Sequence, residues 1–401
     1  MTRDGTSKGL ILILGALAAL GAAAIDMYLP SLPTIERDLS ARTGKAALTL
    51  SSFYIGLAFG QLFYGAVSDA YGRRRVMMGG IVLYSLASLG CILASDADEL
   101  IAARFIQALG AASGGVIARA IVRDMFEIGE AARAQSFINL AFSVTPLLAP
   151  LIGGYVLIWF GWRAIFVVLC VFGVGCLVAL VFRVPETLTE ERRTPLSLTG
   201  LLRNYRCILT HRQSIGCILT GAFAFSCMFT FFAASPFVYI EVFKVPDQHY
   251  GLLFALNVLG IMAANLINAR LVVGRGALYM LRVGSIVSAA GGTILFVVTT
   301  LEIGGLVGVV APLILVVGSL GFIGANAIAG ALAPFPKLAA TTASLFGFCQ
   351  MLLGGMVGWL AGSLQDGTSG PMGLIIGVMS VMGLMACLLL IKQPTSESGS
   401  T

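Results

Sequence analysis

Two charged residues stand inside long apolar stretches of this sequence. Asp26, in AAAIDMYLPSLP, is the only acidic residue well inside such a stretch, and Arg104 begins RFIQALG in another. A charge at the centre of a membrane helix costs about 2.5–3.5 kcal/mol on insertion scales, so it is expected to face a polar cavity or a partner. At 1.5 Å per residue, Asp26 and Arg104 lie roughly 5 and 9 Å from the outer ends of their helices. The alternatives are that Asp26 caps a helix end and that Arg104 extends to the surface.

The elements that hold these residues are membrane helices. Hydrophobic residues make up 58% of the chain and charged residues 11%, against about 25% charged in a typical soluble domain. The apolar stretches are about 20 residues long, do not alternate, and are rich in Gly, Ala and Leu, which excludes a soluble core and a β-barrel. We expect an all-α polytopic membrane protein with twelve transmembrane helices, over residues 9–29, 46–68, 76–95, 99–123, 134–158, 163–183, 214–240, 250–270, 278–300, 306–331, 341–364 and 372–391.

The placement of charge predicts the topology and the division of the chain. With the N-terminus inside, 18 of the 25 Lys and Arg residues fall in inner loops and tails, so both termini are expected in the cytoplasm. The longest polar stretch separates six spans from six. We therefore predict an N-terminal six-helix bundle at residues 1–183, a cytoplasmic linker at 184–213, and a C-terminal six-helix bundle with a short cytoplasmic tail at 214–401. No region is long enough to form a nucleic-acid-binding domain.

A short basic turn, GAVSDAYGRRR, follows the second span. Its Gly65, Asp69, Gly72 and Arg73 are similar to the signature between helices 2 and 3 of the major facilitator superfamily, whose architecture is two six-helix bundles. The resemblance implies that Asp69 and Arg73, near Asp124 at the inner end of helix 4, latch the two halves in the outward-facing state and separate on inward opening. Gly65 would allow close helix approach. An arginine run alone is typical of a positive-inside turn.

Two further segments narrow the resemblance. DMYLPSLP and RAIVRDMF are closely similar to the bicyclomycin and chloramphenicol resistance (Bcr/CflA) group of drug:proton antiporters. Helices 1 and 4 line the central cavity in that fold, so the resemblance implies that Asp26 and Arg104 exchange partners as a proton arrives. Whether Asp26 titrates near neutral pH depends on the balance between its burial and the charge of Arg104. Arg119 is either a second cavity charge or a residue that extends to the inner surface.

Helix 5 contains FSVTPLLAPLIGGY, whose Pro150, Gly153 and Gly154 match the motif associated with antiporters in the family. Proline and small residues bend a helix and allow it to pack closely against a neighbour. The resemblance implies that this packing limits leak between the two halves. The alternative is a kinked helix without that role. Substrate contacts are predicted from aromatic and amide side chains, each with simple packing as its alternative: Tyr54, Asn139, Phe142, Phe223, Tyr239, Asn257 and Asn326.

These features predict a secondary transporter rather than an enzyme, a proton-coupled exporter of drugs or other small amphipathic molecules. The sequence contains no nucleotide-binding loop, and its two histidines have no ligand-spaced partners, so we expect no cofactor and no metal, with the proton gradient as the energy source. The expected partners are drug substrates, protons and the lipid of a bacterial cytoplasmic (inner) membrane, without nucleic acid, and the expected unit is a monomer. The alternatives are a proton-coupled symporter for a small metabolite and, from another class, a membrane enzyme or receptor without transport.

Overall fold

The computed structural model is a bundle of long α-helices. It describes residues 3–42, 44–126, 128–193 and 197–391, without the side chains of residues 3–8, 128, 129, 131–133, 136, 137, 139–143, 192, 198, 247 and 337. The long helices, labelled α1 to α12, are Arg3–Asp26, Lys45–Tyr71, Arg73–Leu93, Ala97–Met125, Ile128–Phe160, Trp162–Arg183, Arg212–Pro236, Asp247–Arg275, Ala277–Thr300, Gly305–Leu332, Ala339–Ser363 and Gly370–Leu390.

The helices have the length and composition of membrane spans. Eleven are long and apolar enough to cross a membrane, and the described side chains of α5 add the shorter apolar stretch Val144–Phe160. The predicted all-α membrane fold is confirmed, and each predicted span overlaps one of the twelve helices. Because twelve successive helices alternate in direction, α1 begins and α12 ends on one side of the bundle. We call it the terminal side, and the other the opposite side.

The helices pack in two groups of six. Helices α1 to α6 form the first half through their mutual contacts, and α7 to α12 form the second half in the same way. Two extended contacts join the halves, one between α2 and α11 and one between α5 and α8. Between these two contacts the halves enclose space at the centre of the bundle, where the candidate site lies.

Glycines determine how closely the helices of the first half approach. A Cβ atom on Gly110 of α4 would lie 2.5 Å from the backbone oxygen of Gly80 in α3, and one on Gly56 of α2 would lie 2.5 Å from the backbone oxygen of Phe105. The hydrophobic effect contributes little to the association of helices within a membrane. Close van der Waals packing, which small residues permit, therefore supplies much of the attraction. The position of α4, which carries Arg104 and Arg119, depends on these glycines.

Two segments that we expected as loops contain helices. After α1 the chain forms a 3-10 turn, Leu29–Ser31, and a short helix, Leu32–Asp38. Pro30 and Pro33 suit the first turns of these elements because no backbone N–H is required there. The predicted linker also contains a helix, Leu198–Thr210, which we call the linker helix. This segment is short and partly polar, so it lacks the long apolar run that identified the membrane spans, and the sequence-based prediction omitted it.

A valine at Gly110 is expected to destabilise the first half. Its side chain would meet the backbone of α3, so the free energy of unfolding should fall by roughly 1–3 kcal/mol, the usual cost of overpacking. Thermal unfolding of the purified protein in detergent measures this effect. Gly79→Val is the matched control, because a Cβ at Gly79 has no atom within 4 Å. Equal melting temperatures for Gly110→Val and Gly79→Val would contradict the close packing described.

Candidate functional site

A cavity of about 390 Å³ lies between the two halves at mid-depth. Helices α1, α2, α4 and α5 line it from the first half, and α7, α8, α10 and α11 from the second. Most of the wall is aromatic or aliphatic, and a space of this size fits a single small organic molecule. The lining residues with a charged or amide side chain are Asp26, Gln61, Arg119, Asn257 and Asn265.

Asp26 is the last residue of α1 and forms part of the cavity wall. The residue is 3% exposed, and no group among the described residues donates a hydrogen bond to its carboxylate. A negative charge is costly here because the surroundings are apolar and the C-terminal end of a helix is the negative end of its dipole. The chain continues from Asp26 into the buried turn Leu29–Ser31, so Asp26 is not a cap at a membrane surface. The position suits a group that gains and loses a proton.

Arg104 lies inside the first half, enclosed by polar and aromatic partners. Its Nη1 donates to Oε1 of Gln107 at 2.6 Å, and its Nη2 donates to the backbone oxygen of Ala24 in α1 at 3.1 Å. The ring centroids of Phe53 and Tyr28 lie 4.1 and 4.6 Å from its Cζ. Aromatic faces attract a cation, and the attraction is stronger where water is excluded. The guanidinium is therefore stabilised without a carboxylate.

The bond from Arg104 to Ala24 holds the end of α1. Carbonyl groups in the last turn of a helix have no partners within the helix, and a cation beside them both satisfies them and opposes the helix dipole. Gln107 extends the network, because its Nε2 donates to Oγ of Ser88 at 2.8 Å. Ala24 is two residues before Asp26, so Arg104 positions the backbone that carries the carboxylate.

Asp26 and Arg104 are not paired in this structure, and the exchange of partners between them stays a prediction. No ion pair joins the two, because the Nη donors of Arg104 are directed to Gln107 and Ala24 while a third ring, Phe166, lies 5.7 Å from its Cζ. Arg104 does not line the cavity and is 0% exposed, so the alternative of an extended surface side chain is wrong. The sequence-based prediction looked for an acidic partner of Arg104. Its partners in the structure include a backbone oxygen and aromatic rings, which a search for acidic residues does not find.

Arg119 is the second charge in the cavity wall. It lies toward the terminal-side end of α4, where its side chain is exposed. Asp26 stands at the other end of the same space, next to the closed opposite side. The cavity therefore has a carboxylate at its deep end and a guanidinium toward its mouth.

Phenylalanines of α7 and α8 form the wall from the second half. Phe231 stacks on Phe254, with 5.6 Å between ring centroids. Phe229 lies 4.1 Å from the ring of Tyr54 in the first half, and a Cβ on Gly354 of α11 would overlap the Phe229 ring. Phe229 thus contacts both halves and the cavity at once. A wall of this kind adapts to apolar ligands of different shapes because it offers ring faces and few fixed polar groups.

One of the predicted substrate contacts whose side chains are described lies in the cavity wall. Asn257 lines it, but Tyr54 is buried between the halves, and Tyr239 is buried in the π-helical turn that follows α7. The side chains of Asn139 and Phe142 lie outside the described residues. Aromatic and amide side chains occur on all faces of these apolar helices, so residue type alone did not indicate which face meets the cavity.

Two further predicted contacts pack within the second half. Phe223 faces α12, where a Cβ on Gly383 would lie 3.4 Å from its Cβ. Asn326 of α10 donates from Nδ2 to Oδ1 of Asn268 in α8 at 2.7 Å, which satisfies a buried amide pair. The sequence-based prediction omitted residues that do line the cavity, among them Gln61, Phe225, Phe229, Phe231, Phe232, Phe254 and Asn265. The run of phenylalanines in α7 was the signal that could have identified the wall.

The basic turn after α2 forms a buried charge cluster on the terminal side. Arg73 is 4% exposed. Its Nη1 lies 2.5 Å from Oδ1 of Asp69 and donates to Oγ of Ser68 at 2.7 Å, and its Nε lies 3.1 Å from Oδ2 of Asp124. Charge-assisted hydrogen bonds of this kind offset the cost of burying the arginine. The cluster joins the ends of α2, α3 and α4.

Glu186, at the start of the linker, completes this cluster. Its carboxylate accepts the backbone N–H groups of Arg73 at 2.9 Å and Arg74 at 3.2 Å, the first two residues of α3. The N-terminal N–H groups of a helix lack partners within it and attract negative charge. Gly72 adopts a φ of +100°, and a Cβ there would lie 2.6 Å from Glu186 Oε2, so this position requires glycine. The sequence-based prediction omitted Glu186.

The expectation that this cluster joins the two halves needs correction. Every partner of the Arg73 side chain belongs to the first half, since its donors are satisfied by Ser68, Asp69 and Asp124. Gly65 faces the second half, but a Cβ there would be 4.0 Å from Oγ of Ser344, an ordinary contact rather than a forced close approach. The cluster is also intact while the opposite side of the bundle is closed.

The antiporter-type motif lies where α5 meets the end of α1. Pro150, Gly153 and Gly154 are buried, and a Cβ on Gly153 would collide with the backbone oxygen of Met27. Met27 directly follows Asp26, so α5 packs against the backbone beside the carboxylate. Pro146, one turn earlier, lines the cavity. The motif is thus at a close backbone contact next to the charged end of the cavity.

Packing closes the cavity toward the opposite side. Leu29, Pro30 and Ser31 are buried and pack against α7 and α8 of the second half. The short helix Leu32–Asp38 contacts the turn Phe237–Val242. Toward the terminal side, by contrast, the cavity wall ends at the exposed Arg119. The packing therefore closes the space beyond Asp26, and the cavity extends from Asp26 toward Arg119 on the terminal side.

Comparison with known proteins gives the family. Residues 11–359 match the model of the Major Facilitator Superfamily. A bicyclomycin resistance protein homolog of Haemophilus influenzae is 32% identical, with 97% of this chain and 98% of the relative covered. Multidrug resistance protein D of Escherichia coli is 29% identical, with 97% and 96% covered. The chain belongs to the Major Facilitator Superfamily, and it is a secondary transporter and not an enzyme.

The solved structures agree on the fold. A xylose transporter from E. coli covers 99% of this chain, with 100% of its own chain covered, at 15% identity and a TM-score of 0.72. At this identity the likeness concerns the fold alone. The twelve-helix arrangement is therefore that of the family, and the chemistry of the site depends on the residues of this chain.

Arg104→Lys is expected to destabilise the protein although it keeps the charge. A lysine cannot donate to Gln107 and Ala24 in the fork geometry of arginine, nor stack its charge between the rings, so buried acceptors lose their partners at about 1–3 kcal/mol each. Thermal unfolding in detergent measures the loss. Arg75→Lys is the control, since Arg75 is exposed. Unchanged stability of Arg104→Lys would contradict the positioning role of Arg104.

Proposed function

We propose that this protein is a proton-coupled exporter of drugs or other small amphipathic molecules, which works by alternating access. The observation that carries the proposal is Asp26, a buried carboxylate with no hydrogen-bond donor among the described residues, in the wall of a cavity between two helical halves. The relatives named for bicyclomycin resistance and multidrug resistance support drugs as the substrate class. The aromatic wall supports amphipathic ligands of varied shape.

The terminal side is proposed to be cytoplasmic, in the inner membrane of a bacterium. The excess of Lys and Arg in the segments on that side supports this orientation. With this orientation the structure corresponds to an inward-facing state, because the cavity reaches the exposed Arg119 and is closed beyond Asp26. Substrate enters the cavity from the cytoplasm or from the inner leaflet.

The proposed cycle uses Asp26 for proton coupling. When the cavity opens outward, Asp26 takes up a proton and the drug leaves. When the cavity opens inward, Asp26 releases the proton and its carboxylate can again interact with a drug. The cost of an unpaired charge at the end of α1 supports this alternation, because a proton or a ligand with a donor group relieves that cost. Arg104 is a positioning residue for Asp26, and Arg119 is a second cavity charge.

The remaining motifs are proposed to control the movement of the halves. Residues 1–183 and 214–401 are the two moving bundles, joined by the linker 184–213. The Arg73 cluster braces the terminal-side ends of α2, α3 and α4, so that they move as one body, and its link to Glu186 ties the linker to that body. The contact of Gly153 with Met27 seals the path beside Asp26. The proton gradient supplies the energy without a cofactor, and one chain is the transporting unit.

Asp26→Asn is expected to abolish efflux driven by a proton gradient. Asparagine keeps the size and polarity of the side chain but cannot bind a proton, so coupling is lost while the fold is kept. Efflux of neutral, cationic and anionic compounds is measured in proteoliposomes with an imposed proton gradient, and thermal unfolding checks the fold. Uphill efflux should fall to the level of protein-free vesicles for every compound that the wild type exports.

Glu302→Gln is the matched control, because Glu302 is an exposed acid outside the cavity. It should retain wild-type efflux. Full proton-driven efflux by Asp26→Asn would refute the coupling role of this residue. Absence of efflux by the wild type for the whole panel, with uptake of a metabolite, would refute the exporter proposal itself.

A further inference from the structure

The linker helix, Leu198–Thr210, has two distinct faces. Tyr205 and Ile208 are 8% and 0% exposed, and Oη of Tyr205 donates to the backbone oxygen of Leu62 in α2 at 3.3 Å. The same helix contacts α7 and α11 of the second half. One face is therefore docked against the bundle, and it touches both halves.

The other face combines apolar and basic residues. Leu202 is 66% exposed and Leu209 is 42% exposed, while Arg203 and Arg206 are also exposed. With 3.6 residues per turn, Leu202, Arg206 and Leu209 project from the same side of the helix. The helix contains no acidic residue, so the two arginines are not neutralised within it.

The linker helix lies beside the terminal-side end of a membrane span. It ends at Thr210 and α7 begins at Arg212, so the connection is too short for the helix to move far from that end. An amphipathic helix at an interface inserts its apolar residues among acyl chains and places its basic residues at the headgroups. Exposed leucines beside unneutralised arginines fit an anionic lipid better than they fit water or a neutral headgroup.

We propose that the exposed face of the linker helix, formed by Leu202, Arg203, Arg206 and Leu209, binds an anionic phospholipid of the leaflet on the terminal side. The arginines contact the phosphate and the anionic headgroup, and the leucines contact the upper acyl chains. Because the helix touches α2, α7 and α11, a lipid bound there adds to the contacts that link the halves on the terminal side. This binding does not depend on what the cavity transports.

The chain provides its own reporter for this site. Cys207 lies on the linker helix and is the exposed cysteine, while the other cysteines are buried or partly buried. A fluorophore on Cys207 of the full-length protein can be quenched by spin-labelled lipid in phosphatidylcholine vesicles. The quenchers are spin-labelled phosphatidylglycerol and spin-labelled phosphatidylcholine, compared at equal content, and Cys207→Ser gives the background labelling.

Spin-labelled phosphatidylglycerol is expected to associate more strongly than spin-labelled phosphatidylcholine, by about fivefold for each arginine at the surface. The preference should decrease at high salt because exposed charges are screened. In Arg203→Gln/Arg206→Gln it should disappear. In the matched control Arg75→Gln/Arg183→Gln, which removes two exposed arginines from the same side, it should persist.

The leucines are tested separately. Leu202→Asn/Leu209→Asn should lower quenching by both lipids, since the helix would insert less deeply, while thermal unfolding shows that the fold is kept. Equal quenching by the two lipids in the wild type would overturn the proposal. A preference that survives in Arg203→Gln/Arg206→Gln, or that is lost equally in the control pair, would also overturn it.

Discussion

A buried cation determines the arrangement around the candidate site. Arg104 has no carboxylate partner in the described part of the chain, and its charge is stabilised by aromatic rings, by Gln107 and by the carbonyl oxygen of Ala24. These partners come from several helices of the first half, so α1 must end where its carbonyl can reach the guanidinium. Asp26 is consequently held at the negative end of α1, in the cavity wall, with α5 packed against the next residue. Arg104 donates to the backbone of Ala24, and the Asp26 carboxylate accepts no hydrogen bond from the described residues.

The two halves contribute different chemistry to the cavity. The first half supplies Asp26 and Arg119 and also contains the Arg73 cluster, while the second supplies phenylalanine rings and amides such as Asn257. Where the first half joins helices through a charged cluster, the second uses the neutral pair Asn268 and Asn326. The charged groups of the described cavity wall therefore belong to the first half, and an apolar, aromatic surface faces them. The proposed coupling of a proton site to a broad ligand site rests on this division.

The sequence predicted the spans well because their signal is length and hydropathy, which a membrane imposes directly. It also singled out Asp26 and Arg119, which lie in the cavity wall, and Arg73 and Arg104, which are buried. It did not predict their partners. Ala24 binds Arg104 through its backbone, and a backbone oxygen has no signature in the sequence. The rotation of each helix was also undetermined, since apolar residues cover every face. Tyr54, which was predicted to contact substrate, packs on Phe229 of the cavity wall and is not itself part of that wall.

The central claim is that Asp26 is the group that binds the transported proton. Infrared difference spectroscopy of the purified protein measures this directly, because a protonated carboxyl group absorbs apart from a carboxylate. The account predicts a carboxyl band that appears and disappears with pH in the wild type, changes when a transported compound binds, and is absent in Asp26→Asn. A band that titrates identically in Asp26→Asn and the wild type would contradict the account.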